Sequence, residues 1–212
     1  MTLAAFVRGV NVGGHKVFRP KALAEELSGV VSVGAAGTFV VRGAIAAGAL
    51  RAEIGPRLPA GAEVMIRPGR EVLDLVSREP FPPEASLTRD RRFVSVLGAR
   101  PRKRPPFPLR APAGSGWQVL VVGLQGAFVY GLWRPAKRSM VYPNEVVERE
   151  LGVPATTRAW DTILKVAALL RGGDEGTDDG PLRGRGASPG EPRAARTRTA
   201  RRDRRRSRGL RA

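Results

Sequence analysis

Glycines and cationic residues lie together in the loop that follows the first apolar stretch of the chain. Asn11 precedes Gly13 and Gly14, with Arg8 before the loop and Lys16 at its end. Backbone N–H groups of such a glycine pair can hold an anion, and the two cations would supply countercharge. The alternative is a tight turn in which the glycines take positive φ angles and Asn11 caps the turn. The loop has neither the P-loop nor the dinucleotide-binding glycine pattern, which favours the tight turn.

A second polar cluster lies near the end of the apolar part of the chain, where the spacing predicts that a last helix begins at Thr157. Free N–H groups at a helix start favour an anion, Arg158 could bind it with two hydrogen bonds, and Trp160 could stack on it. The structural alternative is a capped helix with Trp160 in the core and Arg158 paired with Glu148 or Glu150. The residue types leave the two interpretations open.

Acid–base chemistry has few candidates in this sequence. There is one histidine, His15, and no cysteine, which excludes disulfides, a cysteine nucleophile, and metal sites built on several His or Cys ligands. His15 or Asp161 could act as a single acid or base in an enzyme that uses a phosphorylated or carboxylated metabolite. For His15 the alternative, which we prefer, is a solvent-exposed residue of a turn. No closely spaced carboxylate pair points to a two-carboxylate hydrolase. The sequence predicts no metal and no cofactor.

A proline- and arginine-rich loop between residues 100 and 116 is the main candidate for contact with nucleic acid. Its cations could contact phosphates, and Phe107 among them could stack on a base; they are Arg100, Arg102, Lys103 and Arg104. The alternative, which we prefer, is a solvated loop stiffened by proline. The net charge of +18 gives limited support, because arginine, alanine, glycine and proline are all abundant in the translation of GC-rich genes. Nucleic acid is therefore a candidate partner that the sequence does not favour.

The order of elements predicts an α+β fold with a ferredoxin-like β-α-β-β-α-β subdomain over residues 1–78. Apolar runs bounded by glycine and proline mark its strands, over residues 3–8, 30–33, 38–42 and 63–67. A smaller α+β subdomain follows over residues 79–171. It comprises a strand at 92–97, a hairpin of strands 117–122 and 127–133, and helices at 145–151 and 157–171. Residues 172–212 have little to bury and predict a disordered, basic tail.

Two sequence motifs resemble the domain-of-unknown-function family 1697. Residues 8–14, Arg-Gly-Val-Asn-Val-Gly-Gly, resemble its R-G-I-N-V-G-G opening motif, and residues 155–162, Ala-Thr-Thr-Arg-Ala-Trp-Asp-Thr, resemble its A-T-T-R-N-W-N-T closing motif. The resemblance implies a two-subdomain α+β fold in a bacterial cytoplasmic protein, and it implies no activity, cofactor or partner. The chain departs from the family pattern where Ala36-Gly37-Thr38 replaces Ser-Gly-Asn, and where Ala159 and Asp161 replace asparagines.

Together these features give one leading hypothesis, the binding of a small anionic ligand such as a nucleotide or phosphorylated metabolite between the two subdomains. Arg8, Lys16 and Arg158 would bind the anionic group. The absence of cysteine suits a reducing cytoplasm, and no stretch approaches the roughly 20 apolar residues of a membrane-spanning helix. The sequence predicts no membrane contact and leaves the oligomeric state open.

Overall fold

A computed structural model describes residues 2–10, 18–86, 90–136 and 139–172, all of which belong to the unit Met1–Asp178. The candidate residues Asn11, Gly13, Gly14, His15 and Lys16, and the tail from residue 173 onward, lie outside the described residues. No helix among the described residues is long and apolar enough to cross a membrane.

The first half of the described chain forms a four-stranded antiparallel sheet in the order β2-β3-β1-β4, which we call the first sheet. One helix lies between β1 and β2 in the sequence and another between β3 and β4. Proline opens the first of these helices, where its fixed φ fits the helix and its missing N–H costs nothing. The elements are β1 (Leu3–Arg8), α1 (Pro20–Glu25), β2 (Val30–Ser32), β3 (Thr38–Val41), α2 (Ala47–Ile54) and β4 (Glu63–Pro68).

The second half forms a five-stranded antiparallel sheet in the order β6-β7-β8-β5-β9, which we call the second sheet. Its strands are β5 (Arg91–Leu97), β6 (Leu109–Ala111), β7 (Val119–Gln125), β8 (Phe128–Trp133) and β9 (Ala155–Ala159). Three helices accompany it in the sequence, α3 (Gly69–Ser77), α4 (Pro143–Leu151) and α5 (Trp160–Arg171). The prediction of an α+β fold is confirmed.

Helix α4 shows how local sequence sets the bounds of an element. Pro143 occupies its first position, and Gly152 ends it in the left-handed conformation with φ of 68°. Glycine adopts that conformation without the steric penalty of a Cβ atom, so the chain can turn sharply into β9.

Three apolar cores hold these layers together. One lies between the first sheet and α1 and α2, and another lies between the second sheet and α4. The central core joins the two halves, because Phe6 of β1 and Val94 of β5 pack in one cluster with Trp160 and Ile163 of α5. The two sheets are therefore parts of one folded unit.

The predicted start of the last helix at Thr157 is wrong, since residues 155–159 form the edge strand β9. Thr157 pairs with Ser95 of β5, and Ala159 keeps an extended ψ of 147° before α5 begins at Trp160. Neighbouring threonines have β-branched side chains that suit a strand, and the partner strand decides the matter. Strand β6 was also missed, within the loop predicted from residue 100 to 116.

Candidate functional site

The first residues of the two family-like motifs, Arg8 and Ala155, both contact the carboxylate of Glu148. Arg8 Nε lies 2.8 Å from Glu148 Oε1, and Arg8 Nη2 lies 3.1 Å from Glu148 Oε2. Glu148 also accepts a hydrogen bond of 2.9 Å from the backbone N–H of Ala155, the first residue of β9. The alternative in which Arg158 pairs with Glu148 or Glu150 is not observed, because Arg8 pairs with Glu148 and Arg149 with Glu150.

Burial and hydrogen bonding act in opposite directions on Glu148. Burial would raise the pKa of its carboxyl group, but the hydrogen bonds from Arg8 and from the Ala155 N–H outweigh burial and hold the pKa below its ordinary value. The same hydrogen bond raises the pKa of Arg8. Arg8 is thus neutralised within the chain rather than presented as a free cation.

We expect Glu148→Gln to lower the free energy of unfolding at pH 7 by about 1 kcal/mol, the upper range for a partly exposed ion pair. Because the folded pKa is depressed, this stabilisation is present above the unfolded pKa and disappears as pH falls through the lower folded pKa. Urea unfolding at pH 7 and near pH 3 would measure the change. Glu53→Gln, an exposed change on α2, is the matched control; equal effects of the two variants at pH 7 would contradict the assignment.

Arg158 crosses between the two sheets with its guanidinium group buried, since the residue is only 6% exposed. Every nitrogen of the group donates a hydrogen bond to protein oxygen. Nε donates to Thr38 Oγ1 at 2.6 Å. Nη1 donates to Thr156 Oγ1 and to Thr157 O, both at 2.8 Å. Nη2 donates to three carbonyl oxygens of the first half of the chain, those of Val7 and Ala36 at 2.7 Å and that of Gly37 at 3.2 Å. Burial lowers the pKa of Arg158 to about 10, so the group stays charged at neutral pH. With these acceptors, Arg158 braces the two sheets, and its donors are taken up by the chain itself.

The neighbours of Arg158 in the closing motif are also engaged in packing. Thr157 Oγ1 lies 2.7 Å from Ser95 Oγ, and the Trp160 ring meets the Phe81 ring edge-on at 4.9 Å. Trp160 is buried, whereas Asp161 is exposed in the first turn of α5. The structure therefore brings Arg8, Thr157 and Arg158 to the same end of the sheets, in contacts made by the chain itself.

A cleft of about 360 Å³ lies elsewhere between the halves, and we call it the arginine cleft. Arg67 of β4 lines one side, and Arg100 and Arg104 line the other. Its remaining lining residues carry no charge and come from the chain after β5 and from the β7–β8 hairpin; they are Ala99, Pro101, Leu124, Gly126 and Ala127. The cleft thus has three cationic groups and no carboxylate in its lining.

Arg67 is the least satisfied polar side chain in the described part of the protein. Its Nη2 donates to Leu97 O at the end of β5, and its Nη1 lies 3.4 Å from Ile66 O. Its Nε is buried without a hydrogen-bond partner, the single such side-chain atom among the described residues. Burial lowers the pKa of Arg67. The positive charge of Arg51 lowers it further, and the negative charge of Glu71 acts to raise it. A half-buried cation with spare donors is a group that an anion would stabilise.

Sequence reasoning missed Arg67, although a signal was present. Strand β4 alternates, with Val64 and Ile66 in the core under α2 and Met65 in the central core. Arg67 follows Met65 by two residues, so the period of a strand puts it on the same inward face. An arginine that faces inward needs partners for its buried charge, whereas an arginine in solvent does not.

The basic loop is anchored to the second half of the protein. The backbone N–H groups of Arg102 and Lys103 donate to Leu151 O at 3.0 and 3.2 Å, at the end of α4. Their side chains are exposed and do not line the arginine cleft, unlike those of Arg100 and Arg104. The four cations predicted from sequence therefore divide into two pairs. Among the described residues, no group of three acidic or histidine side chains is placed to hold a metal ion.

Comparison with known proteins identifies a shared fold. No family model matches the chain, and no curated protein matches it. A conserved bacterial protein from Streptococcus pneumoniae, SP0830, has a similar structure. The superposition has a TM-score of 0.51 at 15% sequence identity and covers 80% of this chain and 98% of that one. The likeness extends over nearly the whole of the pneumococcal protein, and at this identity it concerns the fold alone.

Proposed function

We propose that this protein binds a small anionic ligand in the arginine cleft, between its two sheets. The observation that carries the proposal is Arg67, a half-buried arginine whose Nε has no hydrogen-bond partner and which lines the cleft together with two further arginines. A half-buried charge is costly to leave uncompensated, and an anion bound in the cleft would offset that cost.

The charge balance of the cleft favours an anion over other ligands. Arg67, Arg100 and Arg104 contribute positive charge, and the lining holds no carboxylate to neutralise it. Arginine presents donors in a planar fork that matches the oxygens of a phosphate or carboxylate group. A bound anion would also favour the charged form of Arg67 and so raise the pKa that burial lowers.

The size of the cleft limits the ligand to a metabolite. About 360 Å³ is near the lower end of the volumes of small-molecule sites, which fits a phosphorylated or carboxylated metabolite. Like the leading sequence hypothesis, this proposal puts the ligand between the two halves of the protein. The cations differ: the sequence hypothesis uses Arg8, Lys16 and Arg158, and this proposal uses Arg67, Arg100 and Arg104.

Calorimetric titration of the full chain with inorganic pyrophosphate and with citrate tests the proposal. We expect Arg67→Gln to weaken the binding of the preferred anion about tenfold or more, equivalent to roughly 1.4 kcal/mol. Arg110→Gln is the matched control, because it removes the same charge from an exposed position on β6, outside the lining of the cleft. That variant should bind within about twofold of the parent protein. No binding by the parent protein at low salt, or equal losses in both variants, would refute the proposal.

Nucleic-acid binding is the competing hypothesis, favoured by the exposed side chains of Arg102 and Lys103. It predicts steep salt dependence and affinity for a single-stranded oligonucleotide that falls in Arg102→Gln/Lys103→Gln. The cleft proposal predicts that this double variant binds pyrophosphate or citrate as the parent protein does.

We further propose that residues 1–171 form a member of family 1697 with a ferredoxin-like first subdomain. The two motifs support the first point. The element order β1-α1-β2-β3-α2-β4, with β1 between β3 and β4 in an antiparallel sheet, supports the second. Location in a bacterial cytoplasm and the division into residues 1–78, 79–171 and 172–212 remain sequence predictions.

A further inference from the structure

A second cavity, of about 300 Å³, lies between the second sheet and the start of α4, and we call it the aromatic pocket. Trp133 at the end of β8 and Tyr142 just before α4 provide its rings. The polar members of its lining are Arg91, Arg92, Asn144, Thr157 and Arg158, of which Arg158 is buried and hydrogen-bonded within the chain. It shares no lining residue with the arginine cleft, so the two sites are tested separately.

The two rings differ in their surroundings: Trp133 is held by a hydrogen bond, and Tyr142 is exposed to solvent. The Trp133 Nε1–H donates a hydrogen bond of 2.9 Å to Val141 O, which sets the orientation of its ring. The Tyr142 ring lies 6.1 Å from it, centroid to centroid, at an angle of 39°. Tyr142 is nevertheless 44% exposed, one of three large apolar residues left exposed in the described chain. A tyrosine held beside a tryptophan and open to solvent presents a face on which a flat ring can stack.

The polar groups of the pocket indicate which charge and which hydrogen-bonding groups a ligand would need. The Arg91 guanidinium carbon lies 5.7 Å from the centroid of the Trp133 ring, and its residue is exposed. The lining contains no carboxylate. Among the described residues, the amide of Asn144 has no hydrogen-bond partner, so its donor and acceptor are both open to a ligand. The pocket therefore combines stacking surface, positive charge and one free amide.

We propose that the aromatic pocket binds a flat aromatic ring that carries an acidic group. The ring stacks on Tyr142 beside Trp133, the acidic group faces Arg91, and Asn144 hydrogen-bonds a polar atom on the ring. A nucleoside monophosphate and an aromatic carboxylate share this chemistry, and the probes below distinguish them.

Saturation-transfer NMR and calorimetry on the full chain would use adenosine monophosphate and 4-hydroxybenzoate, with adenosine and 4-hydroxybenzamide as their uncharged counterparts. We expect one of the two acids to bind. Its uncharged counterpart should have an affinity at least about tenfold lower. Tyr142→Ala should weaken binding of that acid about tenfold, within the range measured for the loss of one stacking ring. Arg91→Gln should weaken the binding of that acid and leave the binding of its uncharged counterpart unchanged.

Two control variants separate this site from the rest of the protein. Trp117→Phe changes an aromatic residue that contacts Arg134 instead, at 3.8 Å, and should bind as the parent protein does. Arg110→Gln removes a charge from an exposed position on β6, outside the lining of the pocket, and should also leave binding of the acid unchanged. Failure of both acids to bind at about 1 mM, a concentration that detects weak ligands, would overturn the inference. So would equal binding of an acid and its uncharged counterpart, or unchanged affinity in Tyr142→Ala.

Discussion

Replacing Arg158 with methionine should lower the free energy of unfolding by about 3–5 kcal/mol, because several buried oxygen acceptors would lose a charged donor and each such loss costs about 1–3 kcal/mol. The substitution keeps much of the side-chain volume but removes all the donors. Carbonyl oxygens of Val7 and Gly37 and the hydroxyl of Thr38 would then lose a buried donor in one step. Urea unfolding followed by circular dichroism would measure the loss.

The matched control for Arg158 is Arg70→Met, an arginine exposed on α3. It should change stability by no more than about 0.5 kcal/mol, as is usual for surface substitutions. Arg158→Lys should also be destabilising, because a single ammonium group cannot reach oxygens on both sheets in the way that a planar fork does. A cost below about 1 kcal/mol for Arg158→Met would show that the network contributes little net stability.

Gly131→Ala should be destabilising by about 3 kcal/mol, at the upper end of the range for overpacking. A Cβ at residue 131 would overlap the carbonyl oxygen of Leu120 on β7 and would lie 2.9 Å from the Phe93 ring. Both neighbours belong to the second sheet, so relief requires strands to move apart. For a domain of this size such a loss corresponds to a decrease in Tm of about 6–12 °C, which differential scanning calorimetry would record.

Gly116→Ala is the control for that substitution. Residue 116 is exposed, and a Cβ there would have nothing within 4 Å. It should leave the Tm nearly unchanged or raise it slightly, since alanine reduces the freedom of the unfolded chain. A similar Tm for the two variants would mean that β7 and β8 separate at little cost.

Local patterns were sufficient to predict much of the fold. The strand predicted from residue 3 to 8 is observed with those bounds, because an apolar run that ends at glycine needs no distant information. The helix predicted from residue 157 includes the second half of β9, whose strand conformation depends on pairing with β5, some sixty residues earlier in the chain. Pairing between distant strands leaves no trace in the local period of apolar residues.

The candidate sites were harder to predict than the fold. Arginine types alone could not separate Arg158, whose donors the chain satisfies, from Arg67, whose Nε has no partner. That distinction depends on which carbonyl oxygens the fold brings within reach. Likewise, the sequence allows Arg158 to pair with Glu148 or Glu150, whereas Glu148 pairs with Arg8, because β1 and α4 are brought together only by the folded structure.

The central core has a consequence for how the protein is made. The inward side chains of β1, such as Phe6, are covered by α5, whose Leu170 belongs to the same cluster. A ribosome synthesises β1 first and α5 about 160 residues later, and domains generally fold as units once their sequence has emerged. That cluster therefore stays incomplete until the last helix has been made, and apolar surface left exposed on the nascent chain until then promotes aggregation.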